Sequence, residues 1–326
     1  MLWHHLVRPR LKRQLKDRGG IERVAEVRRT TPRIGFIGLG EVGLPMAKRV
    51  ISHGYSMVVC SHVSREPVEE MKKLGAREVA SPSAVAEISD VVITAVRDDS
   101  QSAEVILGPK SIMEGARQGL GIIMMSALSP QFCREVGRLA EAKGVGVLDA
   151  PVTGTKLKAA TGELGIMVGG DRRLAEEYRP ILETMGKVIY CGELGMGQIV
   201  KLASNMALMI NVQAAFEAIS WGIRNGADEE LLVELMKLGT GNSWVVQNWE
   251  FVKSMNVEPP PATFYLAAKD LDYALRIAHE IGQPCPLAAL CAERYIAGVL
   301  KLPERPGSPE PDRSSSGIAR QLQTRR

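Results

Sequence analysis

No stretch of this sequence approaches the ~18 consecutive apolar residues of a membrane-spanning helix, so a bilayer is not its expected solvent. Cysteine is sparse: Cys60, Cys133, Cys191, Cys285 and Cys291 are scattered, odd in number and never paired as Cys-x-x-Cys. That usage argues against a disulfide framework or a zinc site and fits reduced thiols in a cytoplasmic compartment. No His/Asp/Glu cluster has metal-ligand spacing, so no metal is expected. No Ser–His or Cys–His arrangement stands out either, which leaves hydrolase chemistry without candidates.

What remains is an ordinary globular composition, 45% hydrophobic and 24% charged over 326 residues, with room for two domains. The formal net charge of +4 hides an uneven distribution. Residues 1–33 carry ten Arg/Lys against Asp17, Glu22 and Glu26, and residues 303–326 carry five Arg against Glu304, Glu310 and Asp312. The interior, 34–302, is mildly acidic, with 26 basic and 31 acidic residues, which gives its body no reason to bind nucleic acid. We read residues 1–32 as a basic, disordered extension, with a transit peptide or a nucleic-acid arm as alternatives. The Pro/Ser-rich residues 303–326 read as a disordered tail.

Between the ends, short apolar runs alternate with helix-like segments. "RIGFI" (33–37), "MVVC" (57–60), "VVITAV" (91–96), "GIIMM" (121–125), "VGVLDA" (145–150), "GIMVG" (165–169) and "KVIYC" (187–191) are the runs. Continuous apolar strands between helices indicate an α/β fold, a doubly wound, mostly parallel Rossmann-type sheet covered on both faces. The strand signal stops near residue 195. Ile199, Leu202, Met206, Met209, Val212, Phe216, Ile219 and Ile223 then recur every three or four residues, as in one long helix. The expected organisation is a Rossmann domain over 33–193 and an all-helical domain over 194–302, joined by that helix.

In "RIGFIGLGEVGLPMA" the glycines Gly38, Gly40 and Gly43 end a predicted strand and open a predicted helix. In that context the first allows a tight turn, the second lets a pyrophosphate approach the backbone, and the third lets helix and strand pack closely. A dinucleotide is therefore the expected cofactor. An NAD site usually carries Asp or Glu at the end of the second strand. Here "MVVCSHVSRE" offers no acid before Glu66, and Ser61, His62, Ser64 and Arg65 are instead suited to a 2′-phosphate. NADP is favoured, with NAD the alternative; an exposed turn facing water would use the same residues.

At this point the chain resembles the β-hydroxyacid dehydrogenases, which include 3-hydroxyisobutyrate dehydrogenase, tartronate semialdehyde reductase and glyoxylate/succinic semialdehyde reductases. The resemblance covers about residues 33–298. It rests on "GFIGLGEVGLPMA", "DAPVTGTKLKAATGELGIMVGG", "GMGQIVKLASNM" and "LAAKDLDYAL" in that order, with weaker echoes in "VVITAVRDD" and "MSALSP". It implies cofactor contacts at Gly38, Leu39, Gly40, Glu41, Val42, Gly43 and Val96, besides Ser61, His62 and Arg65. It implies catalysis by Lys201, with Asn205 one turn later on the same helix face to orient lysine and substrate. Hydride transfer to a carbonyl needs a proton donor at the developing alkoxide, and the reverse reaction needs the same group as base. Thr153, Gly154 and Thr155 stand where the family has Ser-Gly-Gly, implying a carboxylate anchor; a threonine capping a helix is the structural alternative. Lys269 and Asp270 resemble the family's Lys-Asp pair, the lysine reaching toward substrate or cofactor. Asn248, with Trp244 and Phe264, is placed near the pocket.

The resemblance implies an oxidoreductase acting on a small 3-hydroxy acid or its semialdehyde, with a small carboxylate substrate and a homodimeric or homotetrameric assembly. A glyoxylate/succinic semialdehyde reductase is an alternative, since Gly154-Thr155-Lys156 replaces the second glycine. A non-catalytic cofactor-binding module and an imine reductase are further alternatives, both opposed by the presence of Lys201. Around "RYIAGVLKLPERPGSPEPD" the chain leaves the family's Gly-Asp-containing closing segment, which puts closure of the helical domain in question.

Overall fold

The computed structural model describes residues 31–61, 64–254 and 262–300. His62 and most of the two ends read above as extension and tail lie outside the described residues. The strands are β1 (Ile34–Ile37), β2 (Met57–Cys60), β3 (Arg77–Val79), β4 (Val91–Thr94), β5 (Gly121–Met124), β6 (Gly146–Asp149), β7 (Val152–Thr153), β8 (Leu164–Gly170) and β9 (Gly186–Gly192). Helices α1 (Gly43–Ser52), α2 (Glu66–Lys73), α3 (Pro82–Glu87), α4 (Asp99–Leu107), α5 (Ile112–Gly115), α6 (Pro130–Glu141), α7 (Lys156–Thr161) and α8 (Arg172–Leu182) lie between them. Six helices follow: α9 (Met196–Arg224), α10 (Glu229–Leu238), α11 (Trp244–Gln247), α12 (Trp249–Ser254), α13 (Ala262–Glu280) and α14 (Pro286–Leu300).

The strands run in the order β3-β2-β1-β4-β5-β6, all parallel. Strand order reverses between β1 and β4, which is where a doubly wound sheet opens a ligand crevice beyond its strand ends. Beyond β6 the direction changes: β6 and β7 pair antiparallel with β8, and β9 lies parallel to β8. Pro151, which has no N–H for the ladder, falls in the break between β6 and β7. The seven apolar runs of the sequence all become strands. The short β3 and β7 were not foreseen, because three or two residues carry no periodicity.

The strands are apolar throughout because each feeds two cores. Ile34, Phe36, Val59, Ile93 and Leu148 face one core, closed by α1, α2 and α8 through Met46, Val50, Met71, Tyr178 and Leu182. Ile37, Val58, Val92, Ile122 and Val147 face the other, closed by α3 to α6 through Val85, Ile106, Ile112 and Val136. A fully buried side chain of this size contributes roughly 1.5–3 kcal/mol, so burial on both faces fixes which strands sit centrally.

Helix α9 links this sheet to the helical part. Leu202 packs with Tyr273 and Ala274 of α13, and Met206, Met209 and Ile210 pack against the α13–α14 core. Ala215 and Ile219 join Val245, Val246 and Trp249 from α11 and α12. By length and apolarity alone α9 would be long enough to cross a bilayer, and only 11% of its most apolar 18-residue window is buried.

Candidate functional site

The turn after β1 is built by steric necessity. Gly38 has φ +103°, and a Cβ there would lie 2.3 Å from the carbonyl oxygen of Ala95. A Cβ on Gly43 would fall 1.9 Å from the carbonyl oxygen of Gly38. Gly40 is different: a Cβ there would meet nothing within 4 Å. Two glycines let the backbone pack against itself, and the third leaves a space above the first turn of α1. That turn has no side-chain cap, unlike α3, α4, α6 and α8, each capped by its own Ser or Asp. Its orphan N–H groups and the helix dipole are thus open to an anion. The space at Gly40 and the uncapped turn fit a dinucleotide pyrophosphate.

This turn opens onto a crevice of about 3500 Å³ that continues to the helical part. That is several times an ordinary small-molecule pocket of ~300–1,000 Å³. Ten of its lining side chains are basic and four acidic, in a protein body whose charge balance is acidic. Gly38 to Gly43, Ser61, Val96, Thr153, Gly154, Thr155, Lys201, Asn205, Asn248, Lys269 and Asp270 all line it. The structure therefore gathers most of the sequence-selected residues around one space suited to anions.

Arg65 is not on that wall. Its guanidinium, 63% exposed, pairs with Glu69 at 3.0 Å and Glu78 at 3.2 Å, and Lys72 bridges the same two carboxylates. Glu78 is the acid that the sequence reading missed near the second strand. It comes from the unforeseen β3, opposite Val59 in the ladder. Its charge adds to burial in raising the Cys60 thiol to about 11. The four charges compensate one another.

Also on the crevice wall, Lys201 lies half-buried one turn from Asn205 on α9. Its ammonium has no hydrogen-bond or ion-pair partner among the described residues. Its pKa is lowered, first by burial and further by Lys269, with the Asp270 carboxylate opposing. Asn205 is fixed by its Nδ2, which donates to Asp270 Oδ2 at 2.6 Å. With the amide nitrogen so engaged, its carbonyl oxygen is left as the group available to a ligand.

Lys269 reaches the crevice but is already occupied. It is 4% exposed and donates to the carbonyls of Ala127 at 2.5 Å and Arg97 at 3.4 Å, with Asp270 Oδ1 at 3.3 Å. It ties α13 to the loops after β4 and β5. The expected anchor is divided in the same way. Thr155 caps α7 by accepting from the Lys158 N–H at 3.4 Å, while the Thr153 hydroxyl has no partner among the described residues. Gly154 holds φ +135° between them. Asn248 donates to the Trp244 carbonyl at 2.8 Å. The side chain of Phe264 lies outside the described residues. Ser126, which sequence reasoning did not select, lines the crevice with a buried hydroxyl that has no hydrogen-bond partner among the described residues. The "MSALSP" echo was its only signal.

Comparison with known proteins bears on the family of the chain. Residues 33–193 match the family described as the NAD binding domain of 6-phosphogluconate dehydrogenase. Residues 195–304 match the family described as the NAD-binding of NADP-dependent 3-hydroxyisobutyrate dehydrogenase. The mitochondrial 3-hydroxyisobutyrate dehydrogenase of Mus musculus is 33% identical over 270 residues, 80% of each chain. An NAD-dependent L-serine dehydrogenase of Pseudomonas aeruginosa is 29% identical, covering 80% of this chain and 90% of its own. Among solved structures, Mycobacterium tuberculosis 3-hydroxyisobutyrate dehydrogenase with L-serine superposes with a TM-score of 0.73 at 28% identity, covering 84% of this chain and 95% of that one. Glycine turn, crevice, helical-domain lysine and these matches lead to one conclusion: the chain belongs to the β-hydroxyacid dehydrogenase family of NAD(P)-dependent oxidoreductases.

Proposed function

We propose that this enzyme transfers a hydride between NADP and a small 3-hydroxy acid or its semialdehyde, with Lys201 as the proton donor and acceptor. The observation that carries this reading is an unpartnered lysine of lowered pKa beside an anchored amide, facing the same crevice as the glycine turn. A nicotinamide held by the glycine turn would supply or accept the hydride. In reduction Lys201 Nζ gives its proton to the carbonyl oxygen as negative charge develops there; in oxidation it takes the proton back. The Asn205 carbonyl orients the ammonium, or the substrate hydroxyl, toward that oxygen. Thr153 Oγ and the backbone after it hold the substrate carboxylate, and Asp270 keeps Asn205 in place.

Substrates in this class differ by a methyl or hydroxyl, worth ~1–3 kcal/mol of pocket contact. The test is a steady-state panel of NADPH and NADH against methylmalonate semialdehyde, tartronate semialdehyde, glyoxylate and succinic semialdehyde, with L-serine in the oxidative direction. Absence of turnover with every member would reject the reading. A preference for glyoxylate or succinic semialdehyde would support the reductase alternative, which the exposed, crevice-lining Lys156 beside Thr155 favours.

The choice of NADP rests on Arg65. Its pair with Glu69 is an exposed, solvent-screened i,i+4 contact of little net worth, and Glu69 retains Lys72 as partner. A 2′-phosphate therefore displaces Glu69 cheaply and gains a charge-assisted pair. Glu78, engaged by both cations, is not free for a ribose diol. Arg65→Ala is expected to raise KM for NADPH about tenfold and KM for NADH less than twofold. Equal effects on both would remove Arg65 from the site.

We assign the working form as a homodimer in the cytoplasm. Trp221, Leu231, Leu235 and Leu238 are 62–81% exposed on α9 and α10, beside the largely unburied apolar window of α9. An exposed apolar surface of that kind supports pairing with a second copy. Light scattering at micromolar concentration should report twice the chain mass; a monomer would refute the pairing.

A further inference from the structure

The N-terminus of α9 is closed from a distance. Its cap residue, Gly195, offers no side chain, and the orphan N–H groups of Gly195 and Gln198 donate instead to the two oxygens of Asp149, at 2.6 and 2.8 Å. Asp149 ends β6 and is fully buried. Burial holds its carboxyl above the usual range despite those two bonds. The fit admits no larger residue nearby, because a Cβ on Gly197 would fall 2.3 Å from the Met167 carbonyl and 2.7 Å from Asp149 Oδ2.

Gln198, also fully buried, extends this junction sideways. Its Oε1 accepts from the Leu128 N–H and its Nε2 donates to the Ser126 carbonyl, each at 2.9 Å. Between those two residues, Ala127 accepts from Lys269. Three consecutive residues of the loop after β5 are thus gripped by side chains of α9 and α13. That loop carries the unpartnered Ser126 hydroxyl on the crevice wall, and Lys201 follows Gln198 by three residues on the same helix.

We infer that Gln198, seated on Asp149, is a positioning residue that fixes the Ser126–Leu128 loop against the turn of α9 bearing Lys201. This rests on the proposed role of Lys201. Losing both amide bonds frees the loop from the helix, admits water beside Lys201 and misplaces the proton donor relative to the carbonyl. The cofactor turn after β1 is untouched by the change. Around Lys201 the charged groups are Asp270 and Lys269 from α13; around Gln198 they are Asp149 and the thiol of Cys133 from α6, with Asp99 of α4 and Arg134 of α6 acting on that pair.

The test uses the full chain with the best substrate of the panel and three variants: Gln198→Met, Gln198→Glu and Lys201→Ala. Gln198→Met keeps the volume and removes both bonds. It should lower kcat about thirtyfold, leave the cofactor Kd within twofold, and move the midpoint of the kcat–pH profile upward, as Lys201 regains water. Gln198→Glu can restore both bonds only when protonated, its C=O accepting from Leu128 and its O–H donating to Ser126. Its kcat relative to wild type should therefore rise on acidification. Wild-type kcat and midpoint in Gln198→Met overturn the inference. If that variant does not fold, a Gln198→Glu to wild-type ratio that is flat with pH overturns it as well. Lys201→Ala separates the two levels. Retained turnover there removes the lysine reading and this inference with it; lost turnover beside a normal Gln198→Met removes the inference alone.

Discussion

Lys201→Ala is expected to lower kcat about a thousandfold, within the ~10²–10⁴-fold range of a lost general acid–base group. Cofactor binding should change little, because the glycine turn is built on β1 and α1, and Lys201 makes no hydrogen bond to it among the described residues. The pH dependence has a definite sign. The lysine pKa is lowered from 10.5, by burial first and by Lys269 second, against the pull of Asp270. Oxidation needs the neutral amine, so its rate rises as pH climbs through the lowered pKa; reduction needs the ammonium and falls over the same interval. Stability follows the same linkage. Between the lowered pKa and 10.5 the unfolded chain holds a proton that the folded one does not, so stability increases with pH in that window. Below it the buried ammonium costs its full penalty. Lys201→Met at pH 7 should therefore raise Tm while abolishing turnover. A variant that melted lower, or kept its turnover, would contradict the account.

The second large effect lies in the glycine turn, and it separates two glycines of one motif. Gly43→Ala should destabilise the protein by about 3 kcal/mol or more, since its Cβ meets the rigid Gly38 carbonyl at 1.9 Å. Gly40→Ala should cost less than about 1 kcal/mol, because its Cβ enters open space in the free protein. That same space is where the pyrophosphate approaches, so Gly40→Ala should weaken cofactor binding about a hundredfold. Denaturant unfolding together with cofactor titration tests both. Equal stability losses at the two positions would show that the turn is not divided in this way.

The sequence made the sheet legible because its central strands are buried on both faces, and residues such as Ile34 to Ile37 can then only be apolar. The glycine turn and the one-turn spacing of Lys201 and Asn205 were legible for a related reason: each is a local pattern within one element. What escaped was non-local or too short. Glu78 reaches the end of β2 from a three-residue strand. Asp149 caps a helix that begins 47 residues later. Lys269 bonds to Ala127 across 142 residues, and no periodicity records such a pairing. Thr155 lines the crevice and also caps α7, since a hydroxyl before a helix serves either purpose.

The closure of α9 by Asp149 also gives any rigid-body tilt of the helix, together with the helices packed along it, a pivot at its first turn. Its 29 residues span about 43 Å, whereas Lys201 stands about 9 Å from the held end, at 1.5 Å per residue. A tilt of about 5° would carry the far tip nearly 4 Å but the lysine less than 1 Å. The chemistry sits beside the fulcrum. Packing changes at Trp221 or Ile223 can then accumulate at the tip with little effect on the geometry at Lys201.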